Sequence, residues 1–131
     1  MLARTARKAA HYQGEIELLQ MDVRALPFPD VSFDTVVSVC TFCSVPRPIA
    51  GLRELNRVLR PDGQLLMFER VRSKIGPLGI FLDLMTPLSR RFGPDLNRDT
   101  VENVQAAGVR IRREENVYLD IVKIIEAVKR P

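Results

Sequence analysis

The run Phe33-Asp34-Thr35-Val36-Val37-Ser38-Val39-Cys40 constrains the fold more than any other stretch of this chain. Its β-branched residues favour extended backbone. Prolines bracket it, Pro27 and Pro29 before and Pro46 and Pro48 after. Proline fixes φ, offers no N–H to a ladder and pushes its predecessor out of the helical region. Residues 24–32 therefore read as a loop and 33–40 as a strand. The run is too continuous for a half-exposed strand, so burial on both faces is expected, as in the central strands of parallel sheets.

Helical periodicity follows. Ile49, Leu52, Leu55, Val58 and Leu59 share one face, with Arg53, Glu54, Asn56 and Arg57 opposite. Arg60-Pro61-Asp62-Gly63 stops the helix, and Gln64 to Val71 reads as a further strand. Upstream, residues 1–12 form a short amphipathic helix through Leu2, Ala6, Ala9 and Ala10, ended by Gly14. Glu15 to Gln20, with Ile16, Leu18 and Leu19, reads as a strand. Downstream, Asn97 or Asp99 can cap a helix that runs to Ala107, with Gly108 beyond it. Val109 to Tyr118 and Ile121 to Lys129 then form an antiparallel hairpin across Leu119-Asp120. The alternation of helix and strand predicts an α/β fold with a mainly parallel sheet. A length of 131 residues fits one domain. Ile75 to Phe92 is apolar despite Gly76, Pro77, Gly79 and Pro87. It reads as a cap or insert (75–94) over an active site, or as a helical pair on the sheet. Arg90 and Arg91 also permit a membrane-surface contact through 75–92.

Charge excludes one class of partner. The net charge of +4 is spread, with only local pairs such as Arg112-Arg113, so no phosphate-binding surface for nucleic acid is expected. No stretch has the apolar length of a membrane span, and residues 1–12 lack the core of a signal peptide. Two cysteines, Cys40 and Cys43, suit a reducing compartment. The expectation is a soluble, cytoplasmic protein. Their C-x-x-C spacing can mark a redox pair or half a zinc site. Zinc needs two more ligands, and His11 is the one histidine. A redox pair wants a helix starting at the second cysteine, where Ser44-Val45-Pro46 intervenes. The other reading is two small residues at the rim of a pocket.

Asp22 ends the first expected strand, at the edge where open α/β sheets bind ligands. Its carboxylate can accept from an exocyclic amine while the Val23 N–H donates to a neighbouring ring nitrogen. Together they would read an adenine edge, with Pro27-Phe28-Pro29 as apolar surface. Asp also simply terminates strands.

The wider spacing is more specific. Asp-Val-Arg-Ala-Leu-Pro-Phe-Pro-Asp (22–30), Ser-Phe-Asp-Thr-Val-Val-Ser-Val (32–39) and Leu-Arg-Glu-Leu-Asn-Arg-Val-Leu-Arg-Pro-Asp-Gly-Gln-Leu-Leu-Met-Phe-Glu (52–69) occur in that order. The chain closely resembles class I S-adenosylmethionine-dependent methyltransferases. It is most similar to the branch acting on small or lipidic acceptors, including ubiquinone/menaquinone-biosynthesis C-methyltransferases and methyltransferase-11-like proteins. The resemblance covers residues 1–70 strongly and 95–131 more loosely. It implies S-adenosyl-L-methionine as cofactor, with Asp22 on the adenine amine and Val23 on its ring nitrogen. Val39 and Cys40 would line the ribose and methionine side, and Thr41 to Pro46 would lie beside the transferable methyl. Methyl transfer needs no protein nucleophile, and a general base only for some acceptors. Glu69 and His11 are the candidates for that base.

The chain departs from the family pattern. No G-x-G loop and no ribose-binding acidic residue precede Asp22; Met1-Leu2-Ala3-Arg4 matches the family just after that acidic residue. The expectation is an N-terminally truncated, partial Rossmann-like domain over 1–131, lacking the first two strands. Losing those contacts removes about 3–6 kcal/mol, at ~1–2 kcal/mol each. A micromolar ligand, at about −8 kcal/mol, then falls to millimolar or weaker. In the family order 3-2-1-4-5-7-6, the first strand here either slides beside Val36-Val37 or leaves an edge open to dimerisation or aggregation. Three functions stay open: a methyltransferase with part of its site outside this chain, an inactive remnant that acts as a binding domain, and a thiol-redox protein.

Overall fold

The computed structural model describes residues 2–71, 76–77, 80–81, 84–85, 87, 99–118 and 121–129. The elements are α1 (Leu2–Ala9), β1 (Phe33–Val39), α2 (Pro48–Val58), β2 (Leu59–Arg70), α3 (Thr100–Ala106), β3 (Val109–Tyr118) and β4 (Val122–Lys129). They build a four-stranded mixed sheet in the order β1-β2-β4-β3. β1 runs parallel to β2, while β4 is antiparallel to both β2 and β3. This is the fourth-fifth-seventh-sixth portion of the order expected from the resemblance, and the terminal hairpin forms where the sequence predicts it.

Alternation in β2 and β4 explains how the core is built. Leu65, Met67 and Glu69 lie opposite Ala127, Ile125 and Lys123 across the ladder, and all six are buried. Leu52 and Leu55 of α2 and Val104 of α3 pack on this face. α2 opens with Pro48 in its first turn, where a missing N–H costs nothing. α3 is capped by Asp99, whose carboxylate accepts from the Glu102 N–H at 3.1 Å. Gly108 then takes φ +85°, the left-handed value that ends a helix at glycine.

Three expectations are corrected. Glu15 to Gln20 does not form a strand, and Ile16, Leu18 and Leu19 are exposed. A strand needs a partner for its N–H and C=O groups, and no described strand pairs with this segment. It therefore does not slide beside Val36-Val37. β1 is not buried on both faces. It is the edge of the described sheet, with Val37 65% and Val39 60% exposed. Its β-branched run has the composition of a central strand, but composition reports strand propensity, not how many neighbours the strand finds. Lastly, Leu59 belongs to β2, and Arg60 to Gly63 loop out of the ladder between the pairs Phe33–Leu59 and Thr35–Gln64. The predicted turn is thus a bulge-like excursion within one strand.

Most of 75–94 lies outside the described residues. Of those described, Ile80, Phe81 and Leu84 are helical and exposed. Among the described residues, no helix is long and apolar enough to cross a membrane.

Candidate functional site

An open cleft of about 850 Å³ lies at the C-terminal end of β1. Gln20, Met21, Asp22 and Val23 form one wall; Val39, Cys40, Thr41, Ser44, Val45 and Pro46 form the other. The four residues singled out from the sequence, Asp22, Val23, Val39 and Cys40, therefore converge on one cavity although no ladder joins their segments.

Each wall has a specific support. Val23 rests on α2, where Gly51 allows close approach: a Cβ there would lie 3.2 Å from Val23 and 3.0 Å from the Phe42 ring. Beyond Val23, the Pro-Phe-Pro loop is clamped by a charged pair on α2. Arg57 donates to the Leu26 carbonyl at 3.1 Å, the Phe28 carbonyl at 2.8 Å and Asp30 at 2.6 Å. It also makes a two-pronged pair with Glu54 at 2.9 Å, and Glu54 accepts from the Leu26 N–H at 2.9 Å. The guanidinium and then the Leu26 N–H hold the Glu54 carboxyl below its usual range, and Glu54 in turn raises Arg57. The loop docks further through Val31 and Ser32, whose N–H groups donate to the Arg57 and Val58 carbonyls at the end of α2. Val31 carries φ +56°, a left-handed value unusual for a β-branched residue.

The opposite wall hangs on Glu69. This carboxylate is fully buried and accepts from the Ser38 hydroxyl at 2.6 Å, the Thr41 N–H at 3.0 Å and the Phe42 N–H at 3.2 Å. Phe42 and Val45 sink into the core. Cys40, at the corner, has φ +47° and donates its N–H to the Phe68 carbonyl.

Asp22 is exposed and held by its neighbour. The Arg24 backbone N–H and guanidinium reach both carboxylate oxygens at 2.6–3.1 Å. The Arg24 hydrogen bonds pull the Asp22 carboxyl down to about 2, so it is an ionised acceptor at any physiological pH. A carboxylate offers about four lone-pair positions, and the four Arg24 contacts engage each oxygen twice, so a further donor shares an oxygen with Arg24. No acceptor pairs with the Val23 N–H among the described residues. This acceptor and donor lie across the cleft from apolar Val39 and Pro46, the kinds of group that an adenine edge and ring would meet.

The remaining candidates are not brought in. Glu69 and His11 do not line the cleft, and both Glu69 oxygens are engaged elsewhere. Cys40 and Cys43 are free thiols, and Cys43 donates to the Cys40 carbonyl. Burial, then the Glu69 carboxylate, pushes the Cys40 thiol up, opposite to what a reactive thiolate needs. Among the described residues, no group of three or more metal-ligating side chains occurs. Sequence reasoning missed the Glu54–Arg57 clamp. The pair was visible at i, i+3 on the polar face of α2, but its partners at 26–30 were not.

Comparison with known proteins gives the same direction. The chain is 40% identical over 80 residues to a phosphatidylethanolamine N-methyltransferase of Cereibacter sphaeroides, covering 60% of this chain and 39% of that one. It is 47% identical over 58 residues to the ubiquinone/menaquinone biosynthesis C-methyltransferase UbiE of Hahella chejuensis, covering 44% and 23%. The chain thus matches well under half the length of these relatives. Among solved structures, a SAM-dependent methyltransferase from Methanosarcina mazei superposes with TM-score 0.69 at 20% identity, over 96% of this chain and 76% of that one. The [4+2]-cyclase SpnF superposes at TM-score 0.72 and 20% identity, over 97% and 60%. These two show the fold alone, and the cyclase illustrates that one fold hosts several chemistries. Residues 1–67 match the family described as "Methyltransferase domain", which is half of the chain, and the protein belongs to that family.

Proposed function

We propose that this chain forms the adenine-side half of a methyl-transfer site that uses S-adenosyl-L-methionine. The observation that carries the proposal is the convergence of Asp22, Val23, Val39 and Cys40 on one cleft at the C-terminal end of a parallel strand. Bound S-adenosylmethionine would supply an electrophilic methyl group on a sulfonium. In this reading, Asp22 accepts from the adenine amine and the Val23 N–H donates to the ring. Val39 and Cys40 line the ribose and methionine side, and Thr41 to Pro46 border the transferable methyl, where an acceptor would approach. The raised Cys40 thiol disfavours the redox alternative. A backbone-amide NMR titration with S-adenosylmethionine tests the reading at millimolar ligand. Amide shifts are expected at Asp22, Val23, Val39 and Cys40. Shifts confined to other residues, or none at saturation, would overturn it.

The acceptor belongs to the same proposal. Relatives named for a phospholipid and for quinones support a small or lipidic one. Exposed Ile80, Phe81 and Leu84 support contact with a membrane surface through 75–92. The outer edge of β1, unpaired among the described residues, supports self-association. Sedimentation with and without anionic vesicles reads both points. A dimer alone and co-sedimentation with vesicles are expected, and a vesicle-indifferent monomer argues against both.

A further inference from the structure

We propose that Glu69 is a positioning residue, the buried anchor that fixes the cleft wall from Cys40 to Pro46. That this wall serves a cofactor rests on the function proposed above; that Glu69 shapes it does not. Glu69 is the last but one residue of β2 and lies on its buried face, opposite Lys123 of β4, which is itself buried and paired with Glu114. A charge enters a core only where partners replace its water. Here the three donors are Ser38 from the end of β1 and the consecutive N–H groups of Thr41 and Phe42 just after it.

Two successive amides aimed at one carboxylate allow a single loop shape. The chain must turn sharply at Cys40, which explains the left-handed φ of a non-glycine residue at that corner. Phe42 then drops into the core beneath Gly51, while Thr41, Ser44 and Pro46 stay on the cleft. A carboxylate meets these donors with acceptors only. A glutamine of the same shape turns one oxygen into a donor and sets it against an N–H, whichever way the amide faces.

The test is amide hydrogen exchange on the wild-type chain, on Glu69→Gln and on Ser38→Ala, with S-adenosylmethionine titrated by NMR. In the wild type, Thr41 and Phe42 are expected to exchange as slowly as the β2 ladder amides of Leu65 and Met67. Loop amides that exchange like free coil would overturn the proposal without any variant. In Glu69→Gln, Thr41 and Phe42 should exchange about tenfold faster, the scale of one lost hydrogen bond, while Leu65 and Met67 keep their rates. Ser38→Ala removes a partner but neither loop bond, so Thr41 and Phe42 should stay slow. Half-saturation by S-adenosylmethionine should rise about tenfold in Glu69→Gln and little in Ser38→Ala. Unchanged loop exchange in Glu69→Gln would sink the proposal whatever the ligand does. Faster loop exchange with no ligand response even in the wild type would uphold the anchor and refute the cofactor reading alone.

Discussion

Arg57→Ala is expected to lower Tm by roughly 5–10 °C. The guanidinium holds two carbonyls of the Pro-Phe-Pro loop, one exposed carboxylate and one half-buried one. The exposed pair with Asp30 contributes little, being solvent-screened. The larger part comes from the Leu26 and Phe28 carbonyls and from Glu54, which would lose their partner in half-buried positions. Arg57→Lys should recover less than half of the loss, because an ammonium cannot reproduce the planar fork. An unchanged Tm, as for an ordinary surface change, would argue that the edge-to-face contact of Phe28 with Phe33, ring centroids 5.0 Å apart, holds the loop instead. The same pair gives the chain an acid limit. Glu54 has its folded pKa depressed below 4.5, so its contribution is complete above that value and fades as pH falls through the lower folded one. Asp22 behaves alike between 3.8 and about 2. The wild type should therefore lose stability on acidification below pH 4.5, and Glu54→Gln should flatten that slope in a thermal-melt series.

Calorimetric titration of this chain with S-adenosylmethionine should give a Kd of about 1 mM or weaker. The cleft walls explain the size of the effect. Asp22 is the one carboxylate among the described residues lining the cleft, and Arg24 already engages each of its oxygens twice. It serves the adenine amine in the proposed pose, which leaves the ribose hydroxyls without a carboxylate from these residues. Contacts of that kind are worth ~1–2 kcal/mol each. Asp22→Ala should abolish the remaining response, whereas changing pH between 5 and 8 should not, since the carboxyl titrates near 2. Low-micromolar binding would show that the cleft is more complete than its lining indicates.

What could be read in the chain follows from the range of each interaction. Local chemistry marked the elements: prolines bounded the loop at 24–32, helical spacing marked α2, and Asn97 or Asp99 with Gly108 marked the ends of α3, where the structure uses Asp99. The ordered segments between Asp22 and Glu69 identified the family. Asp22, Val23, Val39 and Cys40 stand out by residue type and spacing, and the fold brings the 20–23 segment to the C-terminal end of β1, where they share a cleft. Three matters depended on tertiary partners. Residues 15–20 have strand-like composition but no neighbour to pair with, so they stay exposed. Val37 and Val39 have central-strand composition but edge-strand surroundings. Glu69 and Arg57 carry charges whose sequence positions suit a general base and a solvated helix face. Only the folded chain brings the amides of 41–42 to the first and the carbonyls of 26 and 28 to the second. Composition and periodicity determined the helices and strands other than at 15–20 and 59–63, because those preferences are local. The role of each charge was decided in three dimensions, because a buried carboxylate or guanidinium is defined by the donors and acceptors that replace its water.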